Sequence, residues 1–213
     1  MARRLPVYIL IDTSGSMKGE PIESVKVGLA DMIATLRQNP YALETVWISI
    51  ITYDKDVNQI LPLTELEQVQ IPSIFTPDSG PTHTGAALQL LCSRYDAEVQ
   101  RGSSSQKGDW RPIVFLLTDG KPSDIMLYNE MIPEIQRRKF GNFVACAAGP
   151  KAHVDPLKKL TDNVFILENM DSTSFRKLFE WVSDTVGDGG KTAGIDQKDE
   201  SLPPPPQEVN LVI

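Results

Sequence analysis

Cysteine and histidine are scarce, with two of each among 213 residues. Cys92 falls in a helical pattern and Cys146 inside the apolar run Phe143 to Ala148. Neither belongs to a CxxC pair or a Cys/His cluster, so zinc and thiol redox chemistry have no foothold, and both are read as buried free thiols. His83 stands alone in a loop and His153 has only Asp155 close by, too little for a ligand set. No apolar run approaches the roughly 20 residues that cross a bilayer, so no membrane helix is expected. Basic residues are in the minority, 21 against 28 acidic ones for a net charge of -7. That balance argues against a nucleic-acid partner, which needs a basic face to neutralise phosphates. A Gly-rich Walker loop and a GxGxxG turn after a strand are missing too, which removes the usual nucleotide cradles.

What is present is an ordinary globular composition, 41% hydrophobic, long enough for one substantial core. Met1 to Arg4 followed by Leu5 to Ile11 superficially mimics a secretory leader. The apolar part is short and ends in Asp12, so it is read as the first strand and the protein is expected in the cytoplasm. Gly19 to Gln38 carries Ile22, Val25, Leu29, Met32, Ile33 and Leu36 at helical spacing, with Pro21 in the first turn. Asn39-Pro40 closes that helix. Thr45 to Tyr53 and Val57 to Leu63 read as strands joined by Asp54-Lys55-Asp56, a connection short enough to require an antiparallel pair.

Further along, Thr84 to Gln100 has a helical pattern with Thr84 as its cap, and Arg101 to Asp109 reads as a mobile surface loop. Trp110 to Thr118 is a central buried strand. A helix from Pro122 to Lys139 is expected to kink or divide at Pro133. Strands at Phe143 to Ala148 and Val164 to Leu167, a short helix near Pro156 and a last helix from Ser172 to Val186 complete the pattern. Strands alternating with helices predict an α/β fold. The expected form is a doubly wound, mostly parallel sheet of about six strands with one antiparallel edge strand and helices on both faces.

From Gly187 the composition turns to Gly, charge and then Pro203 to Pro206, predicting a domain over 1–186 and a flexible tail over 187–213. The closing Val209-Asn210-Leu211-Val212-Ile213 is apolar. It reads either as inert or as a docking peptide for another chain or for the domain's own surface.

Chemistry concentrates at three places. Val7 to Ile11 runs into Asp12-Thr13-Ser14-Gly15-Ser16, where a turn at Gly15 lets oxygen-bearing side chains converge. The run Ile113 to Leu117 ends in Thr118-Asp119-Gly120, a carboxylate at the carboxyl end of a buried strand, the edge where open α/β sheets bind ligands. Between them, Ser79-Gly80-Pro81-Thr82-His83-Thr84-Gly85 presents a hydroxyl just before a helix. The donors suit a small hard cation. A Ser-rich turn bonding its own backbone is the plainer reading of the first stretch taken alone. Asp54 and Asp56 are assigned to their turn rather than to a second metal site.

The set Asp12, Ser14, Ser16, Thr82 and Asp119 resembles, in type and order, the metal-ion-dependent adhesion site (MIDAS) of the von Willebrand factor A (VWA) domain. The likeness covers residue 5 to about 186. It implies a Rossmann-like domain whose hydroxyls contact a divalent cation, Mg²⁺ first with Mn²⁺ or Ca²⁺ as alternatives, while the two aspartates hold bound waters behind them. An acidic side chain of a partner protein then completes the coordination. Arg-Arg-Leu-Pro-Val-Tyr-Ile-Leu-Ile-Asp-Thr-Ser-Gly-Ser-Met, Gly-Pro-Thr-His-Thr-Gly-Ala-Ala-Leu and Leu-Leu-Thr-Asp-Gly-Lys-Pro-Ser-Asp further resemble the bacterial TerY family linked to tellurite resistance. That resemblance implies a non-enzymatic adaptor beside a kinase and a metal-dependent protein phosphatase in a stress-response complex. The alternative is a metal-dependent phosphohydrolase using the same carboxylates, for which Lys121 is the one nearby cation.

Overall fold

The computed structural model describes residues 3–103, 107–138, 140–149, 152–192, 204–206 and 209–211, with backbone alone for 187–192 and 209–211. Strand β1 (Leu5–Asp12) is buried at all eight positions. Its residues serve two cores, because side chains alternate across a strand. Leu5, Val7, Ile9 and Ile11 belong to one core; Tyr8 and Leu10 belong to the other. Both faces covered by helices is the condition under which a strand reads as continuously apolar. Pro6 is tolerated because the pairing of β1 with the strand at Ile113–Thr118 starts only at Val7.

Helix α1 (Glu20–Leu36) buries the whole predicted stripe from Ile22 to Leu36. Asn39 does more than end it. Its side chain accepts from the N–H groups of Tyr41 and Ala42 and caps a second helix, α2 (Pro40–Thr45), that the sequence reading lacked. Strands β2 (Val46–Tyr53) and β3 (Val57–Glu65) pair antiparallel, and β2 runs parallel to β1.

Helix α3 (Thr84–Glu98), strand β4 (Ile113–Thr118), helix α4 (Ile125–Arg137), strand β5 (Asn142–Ala148), helix α5 (Val154–Lys158) and strand β6 (Val164–Leu167) follow, and helix α6 runs Ser172–Thr192. Helices α1 and α6 cover the first core, whereas α3, α4 and α5 cover the second. Helix α4 is not divided at Pro133. Pro133 and Asn129, whose carbonyl the proline cannot satisfy, both lie on the exposed side, where that carbonyl is open to solvent.

Where it is described, the loop 101–109 is exposed at 101–103 and 107, as expected of a surface loop, and it is pinned at its end. The Asp109 side chain is almost fully buried and pairs with Arg4 at 2.6 Å. Arg3 donates to the carbonyl oxygens of Gly108 and Asp109 and stacks over Trp110. Residues 104–106 lie outside the described set.

The sheet order is β3-β2-β1-β4-β5-β6-β7. The expected doubly wound, mostly parallel arrangement with β3 as an antiparallel edge is present. A seventh strand, β7 (Val209–Leu211), adds a second antiparallel edge by pairing with β6. Residues 209–211 of the stretch read as either inert or docking thus lie on the domain's own sheet. Residues 193–203, which fall in the expected tail, are outside the described set.

Candidate functional site

Strands β1 and β4 are parallel neighbours, with Ile11 beside Leu117, so their carboxyl ends bring Asp12 and the Thr118-Asp119 corner together. Asp12 is fully buried, and both of its oxygens are engaged. Oδ1 accepts from the Ser14 N–H at 2.8 Å and Oδ2 from the Thr118 hydroxyl at 2.8 Å. Burial nevertheless pushes the carboxyl up to about 6, with the Asp119 charge adding to the rise and the bonds from Ser14 and Thr118 opposing it.

The chain then turns through a single-turn helix, Gly15–Met17, anchored by Met17, which is completely buried. Ser14 and Ser16 hydroxyls stand 3.2 Å apart, and the Ser16 hydroxyl opposes the rise in the Asp119 pKa. Asp119 is only 8% exposed, and burial raises its pKa. Its Oδ1 is shut away from solvent with no hydrogen-bond partner.

Thr82 arrives from the long loop before α3 and is held on three sides. Its N–H donates to the Ser123 hydroxyl, its carbonyl accepts from the N–H groups of Ser123 and Thr84, and its neighbour His83 donates a backbone bond to Asp54. Its Oγ1 lies 3.5 Å from where a side chain at Gly120 would begin. The five residues singled out from sequence therefore share one corner of the molecule. Ser16 is the exposed member of an otherwise buried set.

Several residues that the sequence reading did not single out hold this corner. The Asp124 carboxylate accepts from the N–H groups of Gly85 and Ala86 at 2.9 and 2.8 Å and so caps α3 from another loop. Thr84, expected as the cap, makes no such bond; its hydroxyl is buried without a partner. Gly85 is required here because a Cβ would come within 2.4 Å of the Tyr128 nitrogen. Asp54 accepts from the Thr13 hydroxyl at 3.0 Å as well as from the Asp56 N–H of its own turn. The turn thereby braces the first site loop. Tyr53, buried beneath, donates to the Leu117 carbonyl at 2.9 Å.

Gly15 packs so closely on the third loop that a Cβ would sit 2.6 Å from Ser79 Cα, and Lys18 forms an exposed ion pair with Asp78. His83 is half-buried, with Nδ1 3.0 Å from the Lys55 carbonyl. Lys121 points to solvent.

Among the described residues, no group of three or more His, Cys, Asp or Glu side chains is placed to hold a metal. Any cation at this corner must therefore take hydroxyl oxygens as well as carboxylates. The donors fit that requirement. Three hydroxyls accompany an orphaned carboxylate oxygen, and such a set suits a hard divalent ion better than a soft one.

Fold and site together define a doubly wound α/β domain with a hydroxyl-and-carboxylate corner at the carboxyl ends of its central strands. The family model for the von Willebrand factor type A domain matches residues 7–181, and the chain belongs to that family, whose domains are protein-interaction modules. Bovine (Bos taurus) matrilin-1 is 28% identical over 126 residues, 57% of this chain and 22% of the matrilin. The chain thus matches less than a quarter of that relative's length. Proximal thread matrix protein 1 from the mussel byssus, solved with its MIDAS motif occupied by zinc, superposes with a TM-score of 0.59 at 18% identity, over 85% of this chain and 48% of that one. A von Willebrand factor type A protein from Catenulispora acidiphila gives 0.57 at 18% identity, over 88% of this chain and 43% of that one.

Proposed function

We propose that this chain is a non-enzymatic interaction module that binds an acidic side chain of a partner protein through a divalent cation. Ser14, Ser16 and Thr82 would contact the ion, with Asp12 and Asp119 behind them. The observation that carries this reading is Asp119 Oδ1, a buried carboxylate oxygen with no partner, in the corner that Ser14, Ser16 and Thr82 share with it, where the Thr82 backbone is held by Ser123. Leaving such a group unpaired is costly, and a cation with its bound water removes the cost. The zinc in the mussel protein's MIDAS motif supports the choice of a divalent ion. When bound, the ion supplies a positive centre for a partner's carboxylate. The chain's own residues position the oxygens, with both oxygens of Asp12 held by Ser14 and Thr118.

Mg²⁺ is the ion of choice for oxygen donors of this number and kind, with Mn²⁺ or Ca²⁺ next. The setting rests on the three motif stretches quoted above: a cytoplasmic, bacterial tellurite-resistance or stress-response phosphorylation complex with a kinase and a metal-dependent protein phosphatase as partners. The phosphohydrolase alternative needs a cation over the substrate phosphate, and Lys121 faces solvent.

The deciding experiment is a pull-down with tagged protein in Mg²⁺ and in EDTA, beside Asp119→Ala. A partner retained only by the unsubstituted protein in Mg²⁺ supports the reading. Capture indifferent to metal and to substitution, or Mg²⁺-dependent turnover of a phosphate ester that Asp12→Ala abolishes, overturns it.

A further inference from the structure

Large apolar side chains left in solvent add nothing to a core, so their position carries information when they fall together. Ile125 and Met126 are 62% and 81% exposed, and they are consecutive, at the first two positions of α4. Neither belongs to either core, which α4 reaches further on through Tyr128, Met131 and Ile135. The first turn of a helix favours acidic residues, yet this one has none.

Their place beside the metal-type corner is set by short steps along the chain. The Ser123 hydroxyl accepts from the Thr82 N–H at 3.0 Å, and the Ser123 N–H donates to the Thr82 carbonyl at 2.8 Å. Two residues of chain span at most about 7 Å, so Ile125 stands no further than that from Ser123. The loop that brings Thr82 carries a third such side chain, Phe75, 80% exposed. Among the described residues, the other large apolar side chains in solvent are Val27 on α1 and Tyr41 on α2. Helix α2 leads into the amino end of β2, the opposite end of the sheet from the corner.

The corner offers a positive centre to a carboxylate, and carboxylates are common on protein surfaces. Selectivity needs a second feature within reach. In an extended segment the side chains two positions apart share a side and stand about 7 Å from one another, which matches the step from Ser123 to Ile125. Met126 is flexible and polarisable and so accepts apolar groups of varied shape.

We propose that Ile125 and Met126 are specificity-determining residues of the corner, and that its partner is an extended segment whose coordinating acidic residue has a large aliphatic residue two positions away. This rests on the reading of the corner as a cation-bridged binding site. The cation takes the carboxylate, and the α4 pair covers the aliphatic neighbour and removes both from water.

The test uses the full chain in Mg²⁺ and three labelled peptides followed by fluorescence polarisation: Gly-Leu-Ser-Glu-Ser-Leu-Gly, its counterpart with Ser for both Leu, and its counterpart with Gln for Glu. Leu stands on both sides because either chain direction places one beside α4. The first peptide is expected to bind about fivefold or more tightly than the Ser counterpart, and EDTA or Gln to abolish binding. Ile125→Ser with Met126→Ser should erase the preference for Leu while calorimetry shows unchanged Mg²⁺ affinity. Tyr41→Ser should keep the preference, and Met126→Ser alone serves if the double variant lowers the melting temperature. Equal, Mg²⁺-dependent binding of both Glu peptides overturns the proposal and leaves the cation-bridged reading standing, as does a preference for Leu that survives the α4 substitutions. Binding that follows Leu but ignores EDTA and Gln overturns both. Failure of all three peptides to bind at millimolar concentration overturns the proposal, and the pull-down then judges the reading separately.

Discussion

The hydroxyl of Thr118 donates to Oδ2 of Asp12 at 2.8 Å, joining residues 106 positions apart across the carboxyl ends of β1 and β4. The bond is fully buried and holds one face of the Asp12 carboxylate while the Ser14 N–H holds the other. Thr118→Val keeps the shape and removes the donor. The expected cost is about 1–3 kcal/mol in urea unfolding, because a buried carboxylate oxygen is left unpaired. Metal affinity should fall with it, read by calorimetric titration with Mg²⁺ or Mn²⁺.

Asp12→Asn has opposite effects on stability and on metal. The carboxyl stands at about 6 in the fold against an ordinary 3.8, so ionisation at pH 7 works against the folded state. A carboxyl raised in this way lowers stability as pH rises from about 4 through 6, since the unfolded chain releases its proton first. Without metal, Asn should therefore make the domain about 1–3 kcal/mol more stable at pH 7 and flatten its stability between pH 4 and 6. Thermal unfolding across that range checks this. The same variant should show no rise in melting temperature with added Mg²⁺.

Asp124 is a distant cap, and its removal should disturb the site as well as the helix. Asp124→Ala frees the N–H groups of Gly85 and Ala86, at an expected cost of about 0.5–2 kcal/mol. Asp124→Asn should recover most of it. A shift of the denaturation midpoint for Ala, with near-normal behaviour for Asn, is the outcome to look for.

The two thiols should resist modification while the chain is folded. Burial pushes Cys92 up to about 11 and Cys146 up to about 12, against an ordinary 9.0. Labelling with a thiol reagent at pH 8 should be slow, and quick in denaturant. The sign of the linkage makes these thiols lower stability above about pH 9, where the unfolded chain ionises first.

The strands were legible in sequence because both faces of the sheet are covered, which makes β1 and β4 continuous apolar runs. The five site residues were legible because each sits beside a local punctuation mark, Gly15, Gly80-Pro81 or Gly120, at the end of such a run. Their supports were not. Asp124 looks like the start of its own helix and acts on another one, and Thr84 has the right type for a cap but turns inward. Asp54 reads as a turn residue and also braces Thr13. Helix α2 escaped because Asn39-Pro40 fits a helix end as well as a helix start. Strand β7 was weighed as a docking segment, but its partner is set by tertiary pairing that no local pattern carries.

The Asp12–Thr118 link also makes the site a clock for folding. Closing a loop of that length is among the slowest contacts to form, so the oxygens converge only after β1 and β4 have found each other. A cation that needs all of them gains nothing from a partly folded chain. If it binds only the completed site, such an ion would slow unfolding rather than speed folding, so a bound domain would persist longer.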